Sequence, residues 1–241
     1  MRDYQAELEN RAAFVRQTLR EAGASGIVFG NSGGKDSALA GIICKRACEN
    51  TVGLLLPCSK RNFGADLADG RAVAEQFGIE TRLLDLSGLE ASFAGLLSEA
   101  TELSKPAKAN LAPRLRMTAL YAVAGSENRL VAGTGNRSET YMGYFTKWGD
   151  GAYDVNPIAD LTVTEVYEFL GCLRAPECVI RKAPSAALFD GQTDEGEMGI
   201  TYAKIDDYLL NGAAAGEDKV LIERFHAASS HKRNPPASYG G

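Results

Sequence analysis

An apolar run that stops on a glycine-rich turn and restarts as a helix narrows the fold of this chain more than any other feature. Gly26-Ile-Val-Phe29 reads as a strand, Gly30-Asn-Ser-Gly-Gly34 as the turn, and Asp36 to Glu49 as the helix that follows. The pattern recurs. Thr51 to Leu56 is a second apolar strand. Asp66 to Phe77 is helical by the spacing of Leu67, Val73, Ala74 and Phe77, with Gly78 as its C-terminal stop. Glu80 to Leu86 reads as a third strand, Gly88 to Ala124 as a pair of helices, and Arg129-Leu-Val-Ala-Gly133 as a fourth strand. Strands that alternate with helices imply right-handed crossovers. The expected fold is therefore α/β, an open parallel sheet flanked by helices on both faces, with a C-terminal helical extension.

Upstream, Tyr4, Leu8, Val15 and Leu19 fall at helical spacing in a segment that also carries Asp3, Glu7 and Glu9. Residues 1–24 thus read as a surface helix and not as a signal peptide. The α/β core is expected over 25–182 and a C-terminal loop, helices and tail over 183–241, together one domain. Thr134 to Asp160 is rich in Gly, Asn, Asp and Tyr, and irregular stretches of that length usually carry function. Thr162-Val-Thr-Glu165 is a capping box that opens a helix through Leu173. An acidic irregular stretch, Ala183 to Gly199, precedes helices near Tyr202 to Leu210 and Asp218 to Ala227. The tail from Ser229 reads as frayed.

Composition serves as exclusion. The apolar stretches Ala38 to Cys44 and Val52 to Pro57 are far shorter than the ~20 residues that cross a bilayer, so no membrane partner is expected. Lys and Arg number 26 against 31 Asp and Glu, a net charge of −5 that argues against a nucleic-acid-coating protein. Five cysteines without CxxC spacing indicate neither a disulfide framework nor a zinc site, and make a reducing cytoplasm the expected compartment.

The first turn is where chemistry is expected. Gly30, Asn31, Ser32, Gly33, Gly34, Lys35, Asp36 and Ser37 lie at the carboxyl edge of the sheet, where ligands bind. Glycines allow close approach, and the N–H groups of a helix start favour an anion such as a phosphate. The loop is not a Walker motif: three residues separate Gly30 from Gly34, and Asp36, not a hydroxyl, follows Lys35. A dinucleotide fingerprint is absent too, since Gly133-Thr-Gly135-Asn-Arg-Ser138 lacks the third glycine.

The pattern SGGxDS resembles the pyrophosphate loop of the ATP pyrophosphatases, which cleave ATP between its α and β phosphates. In that superfamily Asp36 would be a magnesium ligand, because hard Mg²⁺ takes carboxylate and phosphate oxygens. Further segments narrow the resemblance to the ammonia-dependent NAD synthetases: Arg114-Leu-Arg-Met117, Gly133-Thr-Gly-Asn-Arg-Ser-Glu139, Gly143-Tyr-Phe-Thr-Lys-Trp-Gly-Asp-Gly151, Asp154-Val-Asn-Pro157, Thr164-Glu-Val-Tyr167, Pro184-Ser185, Asp190-Gly-Gln-Thr-Asp-Glu195 and His231-Lys-Arg233. These run in family order from about Arg11 to Ser238.

That resemblance implies a reaction and a set of roles. The nicotinate carboxylate of deamido-NAD attacks the α-phosphorus of ATP, and ammonia then displaces AMP from the adenylate to give NAD. Thr134 and Ser185 resemble ATP contacts, and Glu139 a second magnesium ligand. Arg114, Lys147, Asp154, His231 and Lys232 resemble deamido-NAD contacts, Asp154 at a ribose hydroxyl or at the nicotinate end. Asp150 resembles the ammonia-site aspartate and is the expected catalytic residue. Family members often carry Lys where Val163 stands; Lys60, Arg137 and Lys182 are the candidates to replace that charge. The family also implies a homodimer. The positive cluster His231 to Arg233 is expected to order, with the terminal helices, only when deamido-NAD binds. Ammonia rather than glutamine is the expected nitrogen source, because glutamine-using relatives carry a glutaminase ahead of the phosphate loop and only one helix precedes Gly30. The rival readings are another amidating or tRNA-modifying ATP pyrophosphatase, which would call for a basic surface or paired cysteines, and a non-catalytic nucleotide sensor, which would lack Asp36 and Glu139.

Overall fold

A computed structural model of the chain describes residues 2–59, 64–182 and 193–239. Strands β1 (Gly26–Gly30), β2 (Thr51–Leu55), β3 (Glu80–Leu83) and β4 (Arg129–Ala132) form one sheet in the order β3-β2-β1-β4, every pair parallel. Around it run α1 (Tyr4–Ala22), α2 (Lys35–Ala47), α3 (Ala65–Phe77), α4 (Ser87–Ala100), α5 (Lys105–Ala109), α6 (Leu111–Glu127) and α7 (Arg137–Met142). The C-terminal part adds α8 (Val163–Cys172), α9 (Glu177–Ile180), α10 (Asp194–Met198), α11 (Tyr202–Asn211), α12 (Gly216–Ala228) and α13 (Ser230–Arg233). This is the expected open α/β sheet with helices on both faces.

The layers follow from the alternation of side chains along each strand. Ile27 and Phe29 point to one face and pack with Val15 and Leu19 of α1, Cys44 of α2 and Ala74 of α3. Val28, Val52, Leu54 and Val131 point to the other and meet Met117, Leu120 and Ala124 of α6. Burying one such aliphatic side chain is worth roughly 1.5–3 kcal/mol, so each face holds its helices firmly. β3 is one edge, and its residues are partly exposed and mostly polar, with Arg82 paired to Glu80 and Glu127. α1 begins at Asp3, whose carboxylate accepts from the backbone N–H of Gln5 and Ala6, and its buried Arg11 donates to Pro157 O at 2.7 Å and ion-pairs with Asp160 and Glu7.

Four expectations need correction. β3 stops at Leu83, not Leu86, because its partner β2 ends at Leu55 and Pro57 breaks the ladder; Leu84 N and Leu86 N still donate to Leu55 O and Pro57 O. The expected helical pair is three helices, since Ser104 caps a short α5 with Pro106 in its first turn. The long irregular stretch after β4 contains a helix, α7. Finally, the tail through Arg233 is built into the molecule. Met142, Val163, Met198, Ile200, Tyr202, Ile205 and Ile222 bury together as a C-terminal layer. The Lys232 ammonium donates to Gly143 O and Phe145 O, both at 2.8 Å, and the Arg233 guanidinium to Ser229 Oγ at 2.6 Å. Positive charge that the sequence left without a partner is satisfied by groups of the chain itself.

Candidate functional site

The chain leaves β1 in one direction to build β2 and β3 and returns to the other side of β1 with β4. That reversal opens a crevice at the carboxyl ends of β1 and β4, the place where open α/β sheets bind ligands. Two segments flank it, Asn31 to Gly34 after β1 and Gly133 to Asn136 after β4.

The first segment is held in shape by its own side chains. Asn31, buried, donates through Nδ2 to Gly70 O at 2.9 Å, and the Ser32 and Ser37 hydroxyls lie 3.0 Å apart, Ser37 donating to Gly34 O. Gly33 has φ +71°, and a Cβ there would lie 2.1 Å from Asp66 O on α3, so only glycine fits. No side chain caps α2, whose N-cap is Gly34, so the first-turn N–H groups of α2 are left for a ligand.

The second segment brings the acidic residues together. α7 opens with a capping box: Asn136 Oδ1 accepts from Glu139 N at 2.9 Å, and the Glu139 carboxylate accepts from Asn136 N. The Nδ2 of the same Asn136 donates to Asp36 Oδ1 at 3.0 Å, tying β4's loop to α2. Between the two carboxylates stands the Lys35 ammonium, 2.6 Å from Asp36 and 3.7 Å from Glu139. The rings of Tyr167 and Tyr202 cover it, each centroid 5.8 Å away. Burial alone would lower the Lys35 pKa, but the charges of Asp36 and Glu139 outweigh it and hold the ammonium form. Burial, reinforced by the Asp36 charge, pushes the Glu139 carboxyl well above the usual range.

Oxygen donors on two carboxylates at a phosphate loop suit a hard cation such as Mg²⁺, which usually takes one or two carboxylates and completes its shell with substrate phosphates and water. The lysine between them marks a place where positive charge is stabilised. Among the described residues no group of three or more His, Cys, Asp or Glu is arranged to hold a metal unaided.

A third cluster forms around the turn after α7. Asp150 as a residue lies at the surface, yet its carboxylate folds back to accept from Thr146 N at 2.9 Å. Desolvation raises its pKa against that hydrogen bond, and the nearby Lys232 is lowered by burial while Asp150 opposes the shift. The Arg114 guanidinium donates to Lys147 O, and the Lys147 ammonium to His231 O at 2.5 Å. Asp154 accepts from Val131 N on β4 at 2.8 Å and from the Tyr121 hydroxyl at 3.0 Å.

Against the sequence expectations, Lys35, Asp36 and Glu139 come together at the crevice, and Arg114, Lys147, Asp150, His231 and Lys232 around the turn. Lys232 spends its charge on backbone carbonyls, and His231 meets Lys147 through its carbonyl. Thr134 sits half-buried at the crevice rim. Ser185 and Lys60 lie outside the described residues. Of the other candidates to replace the charge missing at Val163, Arg137 is engaged away from the loop, donating to Leu209 O, whereas Lys182 stands against the loop itself, donating to Gly33 O and to the carboxylates of Asp66 and Asp69. Sequence reasoning overlooked Asn136, the link between both carboxylates. Its signal was available, an Asn three residues before a Glu at a helix start. Tyr202 carried none and Tyr167 only its place in Thr164-Glu-Val-Tyr167, since their rings reach Lys35 only through the packing of α8 and α11.

A family model described as NAD synthase matches residues 7–236. An NH(3)-dependent NAD(+) synthetase of Carboxydothermus hydrogenoformans is 44% identical over 237 residues, covering 97% of each chain. Among solved structures, an NMN synthetase from Francisella tularensis superposes with a TM-score of 0.94 at 35% identity, covering 100% of both chains. An NH3-dependent NAD synthetase from Campylobacter jejuni superposes with a TM-score of 0.81 at 28% identity over 99% of this chain and 100% of that one.

Proposed function

This chain belongs to the NAD synthase family, and from that membership we propose that it is an ammonia-dependent NAD synthetase, a ligase that converts deamido-NAD, ATP and ammonia to NAD, AMP and pyrophosphate. The observation that carries the reading is the Asp36–Lys35–Glu139 cluster, joined by Asn136 across the crevice between β1 and β4. A carboxylate does not accept an amine at neutral pH until its oxygen becomes a leaving group, and adenylation achieves that. The nicotinate oxygen bonds to the α-phosphorus as the bond to the β-phosphate oxygen breaks. Ammonia then attacks the acyl carbon, a proton is lost, and AMP departs with the former carboxylate oxygen.

In this reading the chain's own residues bind and orient. Ser32, Gly33, Gly34 and the first turn of α2 receive the pyrophosphate end of ATP, an arrangement in which positioning and charge neutralisation do most of the catalysis. Asp36 and Glu139 would hold Mg²⁺, which when bound offsets the charge of the phosphates. Arg114 and Lys147 offer donors to the phosphates of the pyridine nucleotide. Asp150 stands by to attract ammonium and accept its proton; a raised carboxyl pKa suits that exchange. Residues 1–241 act as one synthetase domain in the cytoplasm; among the described residues no helix is long and apolar enough to cross a membrane.

A homodimer is part of the proposal. α4 buries none of its residues, and Leu89, Phe93 and Leu96 lie exposed at i, i+4 and i+7 spacing. An apolar stripe of that kind on a surface helix calls for a cover, and a second copy supplies it.

A second reading concerns the acid. The structure that superposes with a TM-score of 0.94 is that of an NMN synthetase, so the nicotinate mononucleotide competes with the dinucleotide as substrate. One experiment tests both: purified protein with ATP and Mg²⁺, each acid in turn, with and without ammonium, assayed for amide product and AMP. Amide formation that needs ammonium supports the synthetase reading, and the ratio of kcat/KM for the two acids decides between them. AMP release with neither acid would end it.

A further inference from the structure

Two aspartates stand beside the phosphate loop, where their charge would repel a polyphosphate. Asp66 and Asp69 lie near the start of α3, both half-buried, and both turn to one partner. The Lys182 ammonium donates to Asp66 Oδ1 at 2.7 Å, to Asp69 Oδ2 at 2.8 Å and to Gly33 O at 3.2 Å. An ammonium has three donors, and all three are spent here. Lys182 is itself fixed from behind, because the Tyr167 hydroxyl donates to its carbonyl at 2.6 Å. Burial alone would lower the Lys182 pKa, but the hydrogen bonds to Asp66 and Asp69 outweigh it and keep the ammonium charged.

Stability does not account for this cluster. The Lys182 side chain is 31% exposed, and ion pairs that water reaches contribute little. What the ammonium controls is a peptide plane. A trans peptide carries its C=O and N–H on opposite sides. With Gly33 O drawn towards Lys182 and α3, the N–H of Gly34 is turned the other way, where it meets the exposed Ser32 hydroxyl at 3.2 Å. Gly33, at φ +71° and without a Cβ, gives the loop its shape but supplies nothing to hold it. Were the peptide to flip, a carbonyl oxygen instead of an N–H would face the phosphates. Lys182 is the side chain that opposes the flip.

We propose that Lys182 is a positioning residue of the phosphate loop: braced by Asp66 and Asp69, it pins the Gly33 carbonyl and so aims the Gly34 N–H and the Ser32 hydroxyl at the pyrophosphate end of ATP. This rests on the synthetase reading for the identity of the nucleotide. The two aspartates beside an anion site are then explained by the cation they hold in place.

Lys182→Met keeps the length of the side chain and loses its donors. Two quantities should rise about tenfold, the loss expected for one charge-assisted hydrogen bond. One is the KM for ATP. The other is the dissociation constant of inorganic pyrophosphate with Mg²⁺, measured by titration calorimetry on the full chain without any acid substrate. The KM for the acid should stay near wild type, and Lys182→Arg should recover most of the affinity. Asp66→Ala combined with Asp69→Ala separates positioning from plain charge. Without its brace the ammonium no longer pins Gly33 O, so pyrophosphate should bind more weakly, even though two negative charges beside the loop are gone. Tighter binding in that double variant would overturn the proposal, because it would make Lys182 a free charge for the phosphates. So would wild-type pyrophosphate affinity in Lys182→Met, or equal rises in KM for ATP and for the acid. A wild-type protein that forms no amide from either acid defeats the synthetase reading, while calorimetry with pyrophosphate still decides the role of Lys182, so the two fail separately.

Discussion

Replacing Asp206 by alanine should destabilise the protein and loosen the proposed Mg²⁺ site together, although Asp206 lies on α11, outside the crevice. Its carboxylate, 2% exposed as a residue, accepts from the Ser138 hydroxyl, from Thr164 N at 2.7 Å and from Thr164 Oγ at 2.6 Å. Ser138, fully buried on α7 next to Glu139, also accepts from Val163 N at the start of α8. One carboxylate thus fastens the first turns of two helices. Thr164 is exposed, so water replaces most of what its groups lose. The Ser138 hydroxyl is buried, and leaving its proton without an acceptor costs roughly 1–3 kcal/mol; with the lost charge-assisted bonds the total is about 2–4 kcal/mol. Urea unfolding at constant m-value measures it. Asp206→Asn keeps one acceptor oxygen and should lose about half as much, and combining Ser138→Ala with Asp206→Ala should cost clearly less than the sum of the two. The Mg²⁺ concentration for half-maximal activity should rise in the Asn variant, because Asn136 and Glu139 share the turn with Ser138. An Asp206→Ala protein within about 0.5 kcal/mol of wild type, or strict additivity with Ser138→Ala, refutes the reasoning.

Three further changes read out other parts of the site. Gly33→Ala, at φ +71° with Asp66 O 2.1 Å from the new methyl, should cost at least about 1–3 kcal/mol and raise the KM for ATP; an unchanged melting temperature contradicts it. Lys35→Met removes the cation between Asp36 and Glu139, so the variant should melt lower than wild type without Mg²⁺ and gain more degrees than wild type when Mg²⁺ is added, as thermal shift will show. Asp160 is held below the usual carboxylate range: burial pushes the other way, but the Arg11 guanidinium outweighs it. A depressed carboxylate stabilises above its unfolded pKa and loses that contribution as pH falls through the folded one. Asp160 is half exposed, so Asp160→Asn should cost no more than about 1 kcal/mol at pH 7 and nothing near pH 2, and a difference between the two proteins that persists in acid would contradict the assignment.

What the sequence could disclose depended on distance along the chain. The strand, turn and helix from Gly26 to Ala47 are local, and apolar runs with glycine punctuation specify them almost without context. The capping box at Thr162 and the stop at Gly78 are equally local, and both stand where the residues indicated. β3 read too long because its end is set by where another strand, β2, stops, two residues before Pro57. The same holds at the crevice. Asp36 and Glu139 were legible from their motifs, but the Lys35 ammonium between them, the Tyr202 ring above it and the Asp206 brace behind it depend on helices packing from far along the chain. The tail was misread for a related reason: the carbonyls of Gly143 and Phe145 that satisfy Lys232 belong to a turn whose shape no periodicity encodes.

That last contact sets an order of events during synthesis. Lys232 reaches Phe145 O across 87 positions of sequence, which a ribosome adding about 5–20 residues per second takes roughly 4–17 seconds to make. Through that interval the sheet and the phosphate loop have all their residues, while the turn bearing Asp150 still lacks its buttress. The turn bearing Asp150 is thus among the last parts of the fold to gain its partners, and for this contact it waits on a lysine.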